Sequence, residues 1–464
     1  MKRSLLTNLI QWKNSPHDMR KPLILRGARQ VGKSWLVREF AKKFDSFIEI
    51  NFEREKSKQK IFEGDLDPKR IIRDLTHIYK QNIDKNTLIF FDEIQECLPA
   101  IEALRYFYEE TPSIPIVAAG SLLDFALEAK GISVGRVTFR YLYPMTFKEF
   151  LEADGHQKYV ELLEEIVSDI KEAKNNPKSK KEHDLLSITL HKKLLTHLSE
   201  YLAVGGMPAS VNAWLKYRNI DRCKEVLDDL VNTYRQDFHK YTKKNTIPYV
   251  GMVFDNIPNL LARKFVYAHI SKEHRSRELA NALDLLKKAG IVHLINHTSA
   301  NGIPLSAEEN KSLFKVILLD VALAQTILGE DTAEWILNRD KAYINKGQII
   351  EAFVGQEIVG YSLPSSEAKL HYWVREKTGS MAELDYIISQ KRKVIPIEVK
   401  SGSSGKEKSL KLFLSEKKSL SYGVFFSSSN FNDKVKNEIN KEEVRILNLP
   451  IYATSAFLNV ELSN

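Results

Sequence analysis

The chain has 464 residues, which is too many for one hydrophobic core, so we expect two to four domains. Hydrophobic residues make up 43% and charged residues 28%, as in an ordinary globular protein, and no apolar run approaches the length that would span a membrane. The net charge of +9 permits an acidic partner such as nucleic acid, but the lysines are scattered, so a solvated surface explains the charge equally well.

The two cysteines and the N-terminus indicate the compartment. Cys97 and Cys223 have no spacing that suggests a bridge or a metal site, which fits a reducing cytosol. The first residues are basic, but no long apolar core follows them, so we do not expect a signal peptide. The twelve histidines show no metal-ligand spacing and are interpreted as surface or core residues. We therefore predict a cytoplasmic protein without a membrane segment.

The first 150 residues alternate predicted strands and helices. Apolar residues at helical spacing mark the helices, and alternating or continuous apolar runs mark the strands. The predicted elements are, in order, helix 4–14, strand 23–25, helix 35–40, strand 47–52, helix 66–82, strand 87–92, helix 99–110 and strand 115–119. This alternation predicts a doubly wound α/β domain, in which the carboxyl ends of the parallel strands meet at the ligand edge.

A phosphate loop is predicted between the first strand and the next helix. Residues 27–34 match the pattern G-x-x-x-x-G-K-[ST], whose glycines let backbone N–H groups curl around phosphates at a helix N-terminus. Lys33 is expected to reach the β- and γ-phosphates, and the Ser34 hydroxyl to ligate Mg²⁺. The residues predicted to contact ATP here are Gly27, Ala28, Arg29, Gln30, Val31, Gly32, Lys33, Ser34 and Trp35. The structural alternative is a glycine-containing turn with a surface lysine.

Asp92 and Glu93 end the most apolar predicted strand. An Asp at that point can hold the Mg²⁺ shell, and the acid after it can orient and deprotonate the attacking water. Ser121 follows the next strand and is a candidate to sense the γ-phosphate, while Arg136 or Arg140 is a candidate to stabilise charge, in cis or from a neighbouring subunit. The alternatives are acids at a sheet edge, a common Gly-Ser turn and solvated arginines.

These segments together resemble one family. The chain is similar to bacterial and archaeal AAA-family ATPases that carry a C-terminal domain of unknown function, and the segments concerned are residues 26–34, 91–95, 120–121, 135–136, 143–150 and 205–208. The resemblance implies a P-loop AAA core over 1–150 and a helical lid region over 151–245. The family usually has Pro at the position of Ala28 and Thr at that of Ser34, and neither change removes a phosphate or Mg²⁺ contact.

The helical region contains two breaks. Residues 171–183 are rich in Lys, Asn and Ser around Pro177, and are predicted to form an exposed loop. Residues 205–208 read Gly-Gly-Met-Pro and interrupt the helices sharply. By resemblance this second break belongs to a lid close to the nucleotide, whereas the simpler interpretation is a plain helix break.

Residues 246–335 are predicted to be helical with short β-like pieces. A helix beginning at Ser276 is ended by Gly290, and an apolar strand follows, which resembles the last helix and first wing strand of a winged helix. Such a domain would offer a helix for the major groove, but winged helices in ATPases also serve as protein-interaction modules, and we weigh the two equally. The basic residues nearby are Lys243, Lys244, Arg263, Lys264, Arg275, Arg277, Lys287 and Lys288.

A second group of candidate residues lies in 336–464. A helix over 347–357 carries Glu351, and three predicted strands follow. Residues two apart on a strand share a face, so Glu383 lies on the same face as Asp385, and Glu398 on the same face as Lys400. The order of elements resembles the PD-(D/E)xK nuclease fold. By that resemblance Glu351, Asp385 and Glu398 are Mg²⁺ ligands, and Asp385, Glu398 and Lys400 are catalytic. The alternative is a Glu–Lys pair on an ordinary sheet.

Two functional hypotheses follow. In the first, an ATPase with Lys33 and Glu93 as catalytic residues couples its nucleotide state to a nuclease-like domain that binds or cleaves nucleic acid such as DNA. In the second, the chain is a nucleotide-dependent switch or scaffold for a protein partner, with a silent C-terminal domain. Both use ATP and Mg²⁺, and both allow a homo-oligomer. Convergence of the C-terminal residues in an open, basic groove would favour the first hypothesis.

Overall fold

The computed structural model describes residues 1–121, 123, 135–175, 186–375, 382–390, 393–402, 407–417, 420, 422–431, 437–439 and 442–462. The helical region departs from one prediction at the edge of these ranges. A helix runs to Asn175, so residues 171–175 are not the loop expected there; Lys, Glu and Ala are good helix formers and extend the helix through them. The remaining residues of that predicted loop, 176–183, lie outside the described residues.

The first part of the chain forms a five-stranded parallel sheet covered by helices on both faces. Its elements are α1 (Leu5–Lys13), β1 (Leu23–Arg26), α2 (Lys33–Ala41), β2 (Ser46–Asn51), α3 (Pro68–Tyr79), β3 (Thr87–Asp92), α4 (Leu98–Glu110), β4 (Ile116–Ala119) and β5 (Thr138–Tyr141). The strand order is β2-β3-β4-β1-β5, and every pair is parallel. All residues of β3 are buried, as expected for a strand covered on both faces. The sheet fits the predicted P-loop NTPase fold, although β5 was not predicted.

Helices follow the sheet as far as residue 288. They are α5 (Phe147–Ala153), α6 (Gln157–Asn175), α7 (Ile188–Val204), α8 (Pro208–Tyr217), α9 (Ile220–Tyr241), α10 (Ile247–Asn256) and α11 (Ser276–Lys288). Local sequence explains several of the ends. Thr146 and Glu149 form a capping box at the start of α5, and Asn219 caps α9 through two backbone N–H groups. The predicted break at 205–208 separates α7 from α8, where Pro208 takes the first position of the helix.

The rest of the chain is organised on a mixed eight-stranded sheet. Its elements are β6 (Val292–Thr298), β7 (Glu309–Leu318), α12 (Val321–Leu328), α13 (Glu334–Leu337), α14 (Arg339–Asn345), α15 (Gly347–Gly360), β8 (Leu370–Val374), β9 (Glu383–Gln390), β10 (Lys393–Val399), α16 (Lys408–Glu416), β11 (Tyr422–Ser427), β12 (Asn437–Ile439), β13 (Glu442–Pro450) and α17 (Thr454–Leu462). The order is β12-β13-β11-β10-β9-β8-β6-β7. The predicted helix and strands from 347 to 427 are present, whereas β12, β13 and α17 were not predicted.

The hairpin β6–β7 belongs to this sheet. The two strands pair antiparallel, and β6 also pairs with β8 in parallel, with Ile295 opposite Leu370. The strand predicted after Gly290 as a wing is therefore part of a larger structure that contains strands from both sides of residue 336. The winged-helix and nuclease-like assignments, and the domain limits at 150, 245 and 335, stay predictions.

Packing connects the two sheets. Among the described residues, the largest hydrophobic cluster runs without interruption from α1 through the helical region to α15, β11 and α17. Two smaller clusters fill the outer faces, one between the parallel sheet and α3 and α4, the other between the mixed sheet and α16. Because this core is contiguous, a displacement of one sheet strains packed side chains that also support the other sheet. None of the helices that the structure describes is long and apolar enough to cross a bilayer.

Candidate functional site

The phosphate loop, residues 27–34, turns sharply between β1 and α2. Gly27, Gln30 and Gly32 have φ values of 148°, 64° and 95°. A Cβ added to Gly27 would lie 2.2 Å from the Leu142 carbonyl oxygen, so no side chain fits there and glycine is required by space as well as by its φ. The loop curls at the N-terminus of α2, where backbone N–H groups and the helix dipole favour an anion.

Lys33 opens α2 and lies across the loop. Its Nζ donates to the carbonyl oxygens of Gly27 at 2.9 Å and Ala28 at 2.8 Å, and the residue is 7% exposed. Burial lowers the pKa of Lys33 to about 8, against the opposing effect of Glu93 and Asp92. A phosphate beside this desolvated ammonium would stabilise its charged form more strongly than the loop carbonyls do.

The Ser34 hydroxyl and the Asp92 carboxylate meet beside the loop. Ser34 Oγ lies 3.0 Å from each Asp92 carboxylate oxygen, and Asn51 Nδ2 donates to Asp92 Oδ2 at 3.1 Å. Burial raises the pKa of Asp92, and the neighbouring Glu93 raises it further. A hydroxyl and a carboxylate are the oxygen ligands that Mg²⁺ takes from proteins while phosphates and waters complete its shell. The donor set therefore fits the predicted Mg²⁺.

Glu93, the predicted base, follows β3 in a left-handed turn. Its φ is 49°, and Gln95 Nε2 donates to Glu93 Oε2 at 2.7 Å. Gln95 Oε1 is buried and finds no hydrogen-bond partner in the described part of the chain, and a Cβ on Gly120 would lie only 2.1 Å from it. Gly120 thus leaves the space that Gln95 fills, and Gln95 orients Glu93. Gln95 was not predicted as a site residue, although a glutamine two residues after a candidate base indicates a possible hydrogen-bond partner for that base.

A cavity of about 230 Å³ opens beside the loop. Its near wall contains Gly27, Ala28 and Ser121, with Tyr143 after β5. The opposite wall is formed by the end of α11 and the start of β6, with Lys287, Lys288, Gly290 and His293. Ser121 therefore borders a cavity beside the loop, at the end of the strand between β1 and β3. Its role as a γ-phosphate sensor stays a prediction.

The contacts described for the two candidate arginines are with residues outside the phosphate loop. Arg136 Nε is 3.2 Å from Glu109 Oε1 on α4, and the Arg136 side chain is 44% exposed. Arg140 donates to the Phe139 carbonyl at 2.8 Å. Trp35, also predicted to contact ATP, is an exposed residue in the first turn of α2. The roles of these three residues stay predictions.

The predicted C-terminal residues converge beneath α15. Asp385 Oδ2 accepts a hydrogen bond from the Val399 N–H at 2.7 Å, which fixes β9 against β10. Lys400 Nζ lies 3.2 Å from Glu398 Oε1. Both carboxylates are buried, and Asp385 and Glu351 also act on the pKa of Lys400, so all four predicted residues share one electrostatic site. The Glu351, Asp385 and Glu398 side chains are largely buried, whereas the side chains of Lys400 and Glu383 are 41% and 45% exposed, so the site reaches solvent. Because its acids outnumber its lysines, it is not a basic groove. We call Glu351, Glu383, Asp385 and Glu398 the carboxylate cluster.

The carboxylate cluster carries unusual protonation energetics. Burial raises the pKa of Glu351, the nearby Asp385 carboxylate contributes in the same direction, and the ammonium of Lys315 opposes the shift. Burial likewise raises the pKa of Glu398, although Lys400 opposes that shift. Acids that repel one another in a desolvated site favour a shared cation, which is the chemistry of a metal site as well as of a buried ion pair.

Lys315 of β7 is a member of this site that the sequence analysis missed. Its Nζ lies 2.9 Å from Glu351 Oε1 and also contacts Glu383 Oε1, with the side chain only 1% exposed. Burial lowers the pKa of Lys315, but Glu351, Asp385 and Glu383 outweigh that effect and raise it. The signal available in the sequence was a single lysine inside the apolar run at 314–319.

The family comparison bears on the first of these sites. Residues 19–151 match the family described as AAA domain. This match coincides with the five-stranded parallel sheet, the phosphate loop and the contact of Ser34 with Asp92. The chain carries a P-loop ATPase domain. Residues 195–334 and 346–452 match two further families, each described only as a domain of unknown function, DUF8612 and DUF4143.

Solved structures resemble the chain at low identity. The Walker-type ATPase PABY2304 of Pyrococcus abyssi is 16% identical, covers 70% of this chain and 95% of that chain, and has a TM-score of 0.42. C. elegans PCH-2 is 13% identical, covers 48% of this chain and 65% of that chain, and has a TM-score of 0.26. Protein VC1899 from Vibrio cholerae is 11% identical, covers 89% of this chain and 96% of that chain, and has a TM-score of 0.18. All three TM-scores are below 0.5. No curated protein matches the chain.

Residues far away in sequence support the phosphate loop of the P-loop ATPase domain. Arg3 is buried and donates to the Val31 carbonyl at 2.8 Å. Arg29 Nη1 lies 2.7 and 2.6 Å from the two oxygens of Asp237 on α9, and the Tyr234 hydroxyl donates to the Arg29 carbonyl at 2.7 Å. These contacts connect the loop to the N-terminus and to the helical region. They join residues up to 208 positions apart, so no local pattern predicts them.

The Gly-Gly-Met-Pro break lies against the P-loop ATPase domain. Gly206 N–H donates to Asp320 Oδ2 at 2.6 Å, and its carbonyl accepts from Met145 N–H at 2.7 Å. A Cβ on Gly32 of the loop would lie 3.5 Å from Pro208 Cγ. The break therefore connects β7, through Asp320 just beyond its end, with the phosphate loop. Its role as a nucleotide lid stays a prediction.

Two histidines lie close to an aspartate in the folded chain, although their sequence spacing is not that of metal ligands. The ligand atoms of Asp154, His156 and His197 lie within 4.8 Å of one another. The two histidines come from different elements, the α5–α6 connection and α7, so sequence spacing does not indicate their proximity. The guanidinium of Arg218 contacts the same Asp154 carboxylate and opposes a cation there, so we assign no metal to this group.

Proposed function

We propose that the chain is a Mg²⁺-dependent ATP hydrolase whose nucleotide state controls its C-terminal domain. The observation that carries the hydrolase assignment is the contact of Ser34 Oγ with both Asp92 oxygens at 3.0 Å, directly beside the buried ammonium of Lys33. A metal-binding pair and a phosphate-binding cation thus adjoin one anion-binding loop, which is the arrangement that phosphoryl transfer requires.

Each residue has a defined task in this proposal. Lys33 binds the β- and γ-phosphates, while Ser34 and Asp92 hold Mg²⁺, which neutralises charge that develops on the phosphate oxygens. Glu93, oriented by Gln95, accepts a proton from the water that attacks the γ-phosphate. Because Glu93 is fixed before any substrate binds, its orientation costs no reorganisation during the reaction.

Two variants of the ATPase site test this assignment. Lys33→Ala and Glu93→Gln should each abolish ATP turnover, since the first removes the phosphate-binding cation and the second the base. Glu93→Gln should keep ATP binding, measured with a fluorescent nucleotide. The matched controls are Lys42→Ala at the far end of α2 and Glu96→Gln three residues after Glu93, which change exposed residues and should leave turnover intact. Full activity in both site variants would disprove the assignment.

The stabilising arginine is part of the proposal. Arg136→Ala should lower kcat by about 10³-fold or more if this residue stabilises the transition state. Arg105, which pairs with the same Glu109, provides a matched control in Arg105→Ala. An Arg136 that acts from a neighbouring subunit would make the specific activity of the wild type rise with protein concentration.

Control of the C-terminal domain is supported by contacts between the loop and the hairpin β6–β7. A Cβ on Gly290, just before β6, would lie 3.3 Å from the Ala28 backbone nitrogen. Asp320, just after β7, accepts from Gly206 beside Pro208, which packs near Gly32. The start of β6 and the end of β7, which together form the open end of the hairpin, thus lie next to the ATP site. A phosphate loop that changes shape on nucleotide binding would displace this end of the hairpin.

Nucleic-acid cleavage at the carboxylate cluster is the second candidate function. It is favoured by the convergence of Asp385, Glu398 and Lys400, and disfavoured by the burial of the two carboxylates and by Lys315, whose ammonium contacts Glu351. The test is Mg²⁺- or Mn²⁺-dependent cleavage of DNA and RNA, with and without ATP, by the wild type and by Asp385→Ala and Lys400→Ala. Cleavage that both variants lose would support it, whereas no cleavage above background would favour a switch or scaffold that binds a protein partner.

The cellular setting is also proposed rather than observed. We infer a cytoplasmic protein, because Cys97 and Cys223 are both free and buried, as suits a reducing compartment. Binding of DNA or of a protein through the 246–335 region, and assembly into a homo-oligomer, belong to the same proposal. Filter binding with mixed-sequence DNA at two salt concentrations distinguishes DNA binding from protein binding by this region. Retention of DNA that falls steeply with salt indicates phosphate contacts, whereas no retention at either concentration favours a protein partner.

A further inference from the structure

Lys315 takes the place in the carboxylate cluster that a metal would need. Its ammonium contacts Glu351 and Glu383, and the charge of Asp385 also acts on it. The side chain comes from β7, upstream of the segment that supplies the carboxylates, and its Cα pairs with that of Ile295 on β6. Because a divalent cation would seek the same Glu351 oxygen, the ammonium and the metal compete for one position.

The charges in the site decide between the two cations. The four carboxylates of the cluster face two ammonium groups, Lys315 and Lys400. A metal added at the same Glu351 oxygen would place a second cation beside the buried Lys315 ammonium, which is unfavourable because the two cations repel each other. If Lys315 leaves, the remaining carboxylates form an oxygen-rich site with an excess of negative charge, which is what Mg²⁺ and Mn²⁺ prefer.

We propose that Lys315 is the built-in cation of the carboxylate cluster, and that a divalent metal binds there only when Lys315 is withdrawn. The inference rests on the proposed control of the C-terminal domain by the ATP site, and it names the residue on which that control acts. It accounts for a lysine that is almost fully buried, although an ammonium is expensive to desolvate, beside the carboxylates of Glu351 and Glu383.

The position of Lys315 in the hairpin gives nucleotide a route to it. Asp320 follows β7 five positions after Lys315 and bonds to Gly206 at the Gly-Gly-Met-Pro break. The other strand of the hairpin begins next to Gly290, which lies against Ala28 of the phosphate loop. In this proposal, a shift of the loop moves the strand that carries Lys315 relative to the Glu351 end of α15. The hairpin β6–β7 is the element that links the carboxylate cluster to the ATP site.

Mn²⁺ binding to full-length protein, measured by electron paramagnetic resonance without nucleotide, tests the proposal. The wild type should bind Mn²⁺ weakly, and Lys315→Met should bind one further ion at least tenfold more tightly. Asp385→Asn added to Lys315→Met should abolish that gain, which assigns the ion to the cluster. Lys311→Met changes an exposed lysine on the same strand and should behave as the wild type. Equal affinity of the wild type and Lys315→Met would overturn the proposal.

A second variant guards against loss of folding. Lys315→Met leaves Glu351 buried without its partner, which alone can unfold the chain. The double variant Lys315→Met/Glu351→Gln removes both charges and retains three carboxylates, so it should fold and still bind Mn²⁺ more tightly than the wild type. Wild-type affinity in this double variant would contradict the idea. ATP turnover by the wild type is measured separately, so failure of the ATPase assignment and failure of the lysine assignment give different results.

Discussion

Glu357 of α15 provides a test of how the P-loop ATPase domain is joined to the C-terminal part of the chain. Its side chain is fully buried, and it accepts hydrogen bonds from the Phe147 N–H, at 2.9 Å, and from the Ser455 hydroxyl. Phe147 begins the helix after the parallel sheet, and Ser455 lies in α17. One carboxyl group thus connects three helices, and burial raises its pKa to about 7.

The raised pKa predicts a definite pH dependence of stability. The ordinary value is 4.5, so between pH 4.5 and 7 the folded chain keeps a proton on Glu357 that the unfolded chain releases. The folded state then binds more protons, and the free energy of unfolding falls as the pH rises. A shift of this size corresponds to about 3 kcal/mol, lost progressively across that window. Glu357→Gln removes the ionisable group and should remove this part of the dependence.

The assay is the melting temperature of the wild type and of Glu357→Gln between pH 5 and pH 8. The melting temperature of the variant minus that of the wild type should increase by several degrees between pH 5 and pH 8. The reason is that the wild type loses about 3 kcal/mol of stability as Glu357 becomes ionised, and the variant does not. Glu161→Gln on the exposed face of α6 controls for a general effect of charge and should show no such trend. A difference between wild type and Glu357→Gln that stays constant with pH would refute the reasoning.

Other substitutions have equally defined outcomes. Gly206→Ala places a Cβ 2.2 Å from the Met145 carbonyl and should destabilise the chain by about 1–3 kcal/mol, whereas Gly251→Ala meets nothing within 4 Å and should be neutral or stabilising in thermal unfolding. Arg29→Ala and Asp237→Ala should each weaken ATP binding in nucleotide titrations, and the double variant should add little, because both break one ion pair. Additive losses would show that the pair does not position the phosphate loop.

The sequence predicted most of the parallel sheet because its signals are local. Its strands and helices follow from apolar periodicity, and the phosphate loop follows from glycine spacing, so predicted and observed limits differ by only a few residues. The short strand β5 was missed because its four residues carry no buried face, and all of them are only partly buried. In the same way, the ten-residue β7 was missed because its outer half is polar and exposed.

The functional residues show the same division between what local sequence predicts and what only the fold brings together. Lys33, Ser34 and Asp92 were predicted from residue type and position, and the structure brings them together. Arg3 and Lys315 could not be predicted in that way, because each acts across more than thirty residues of sequence on partners that only the fold brings near. A basic residue that is buried by tertiary structure looks, in sequence, like any solvated one.

The pairing of β6 with β8 limits how the C-terminal part of the protein can be produced for study. A fragment that begins at residue 336, where the sequence suggests a domain, would lack β6 and β7 and leave the backbone groups of β8 unpaired along one edge. An unprotected edge strand of this kind promotes aggregation, and the fragment would also lose the partner of Glu351. Expression of the mixed sheet alone should therefore start before α11, so that the hairpin is included and the edge of β8 stays covered.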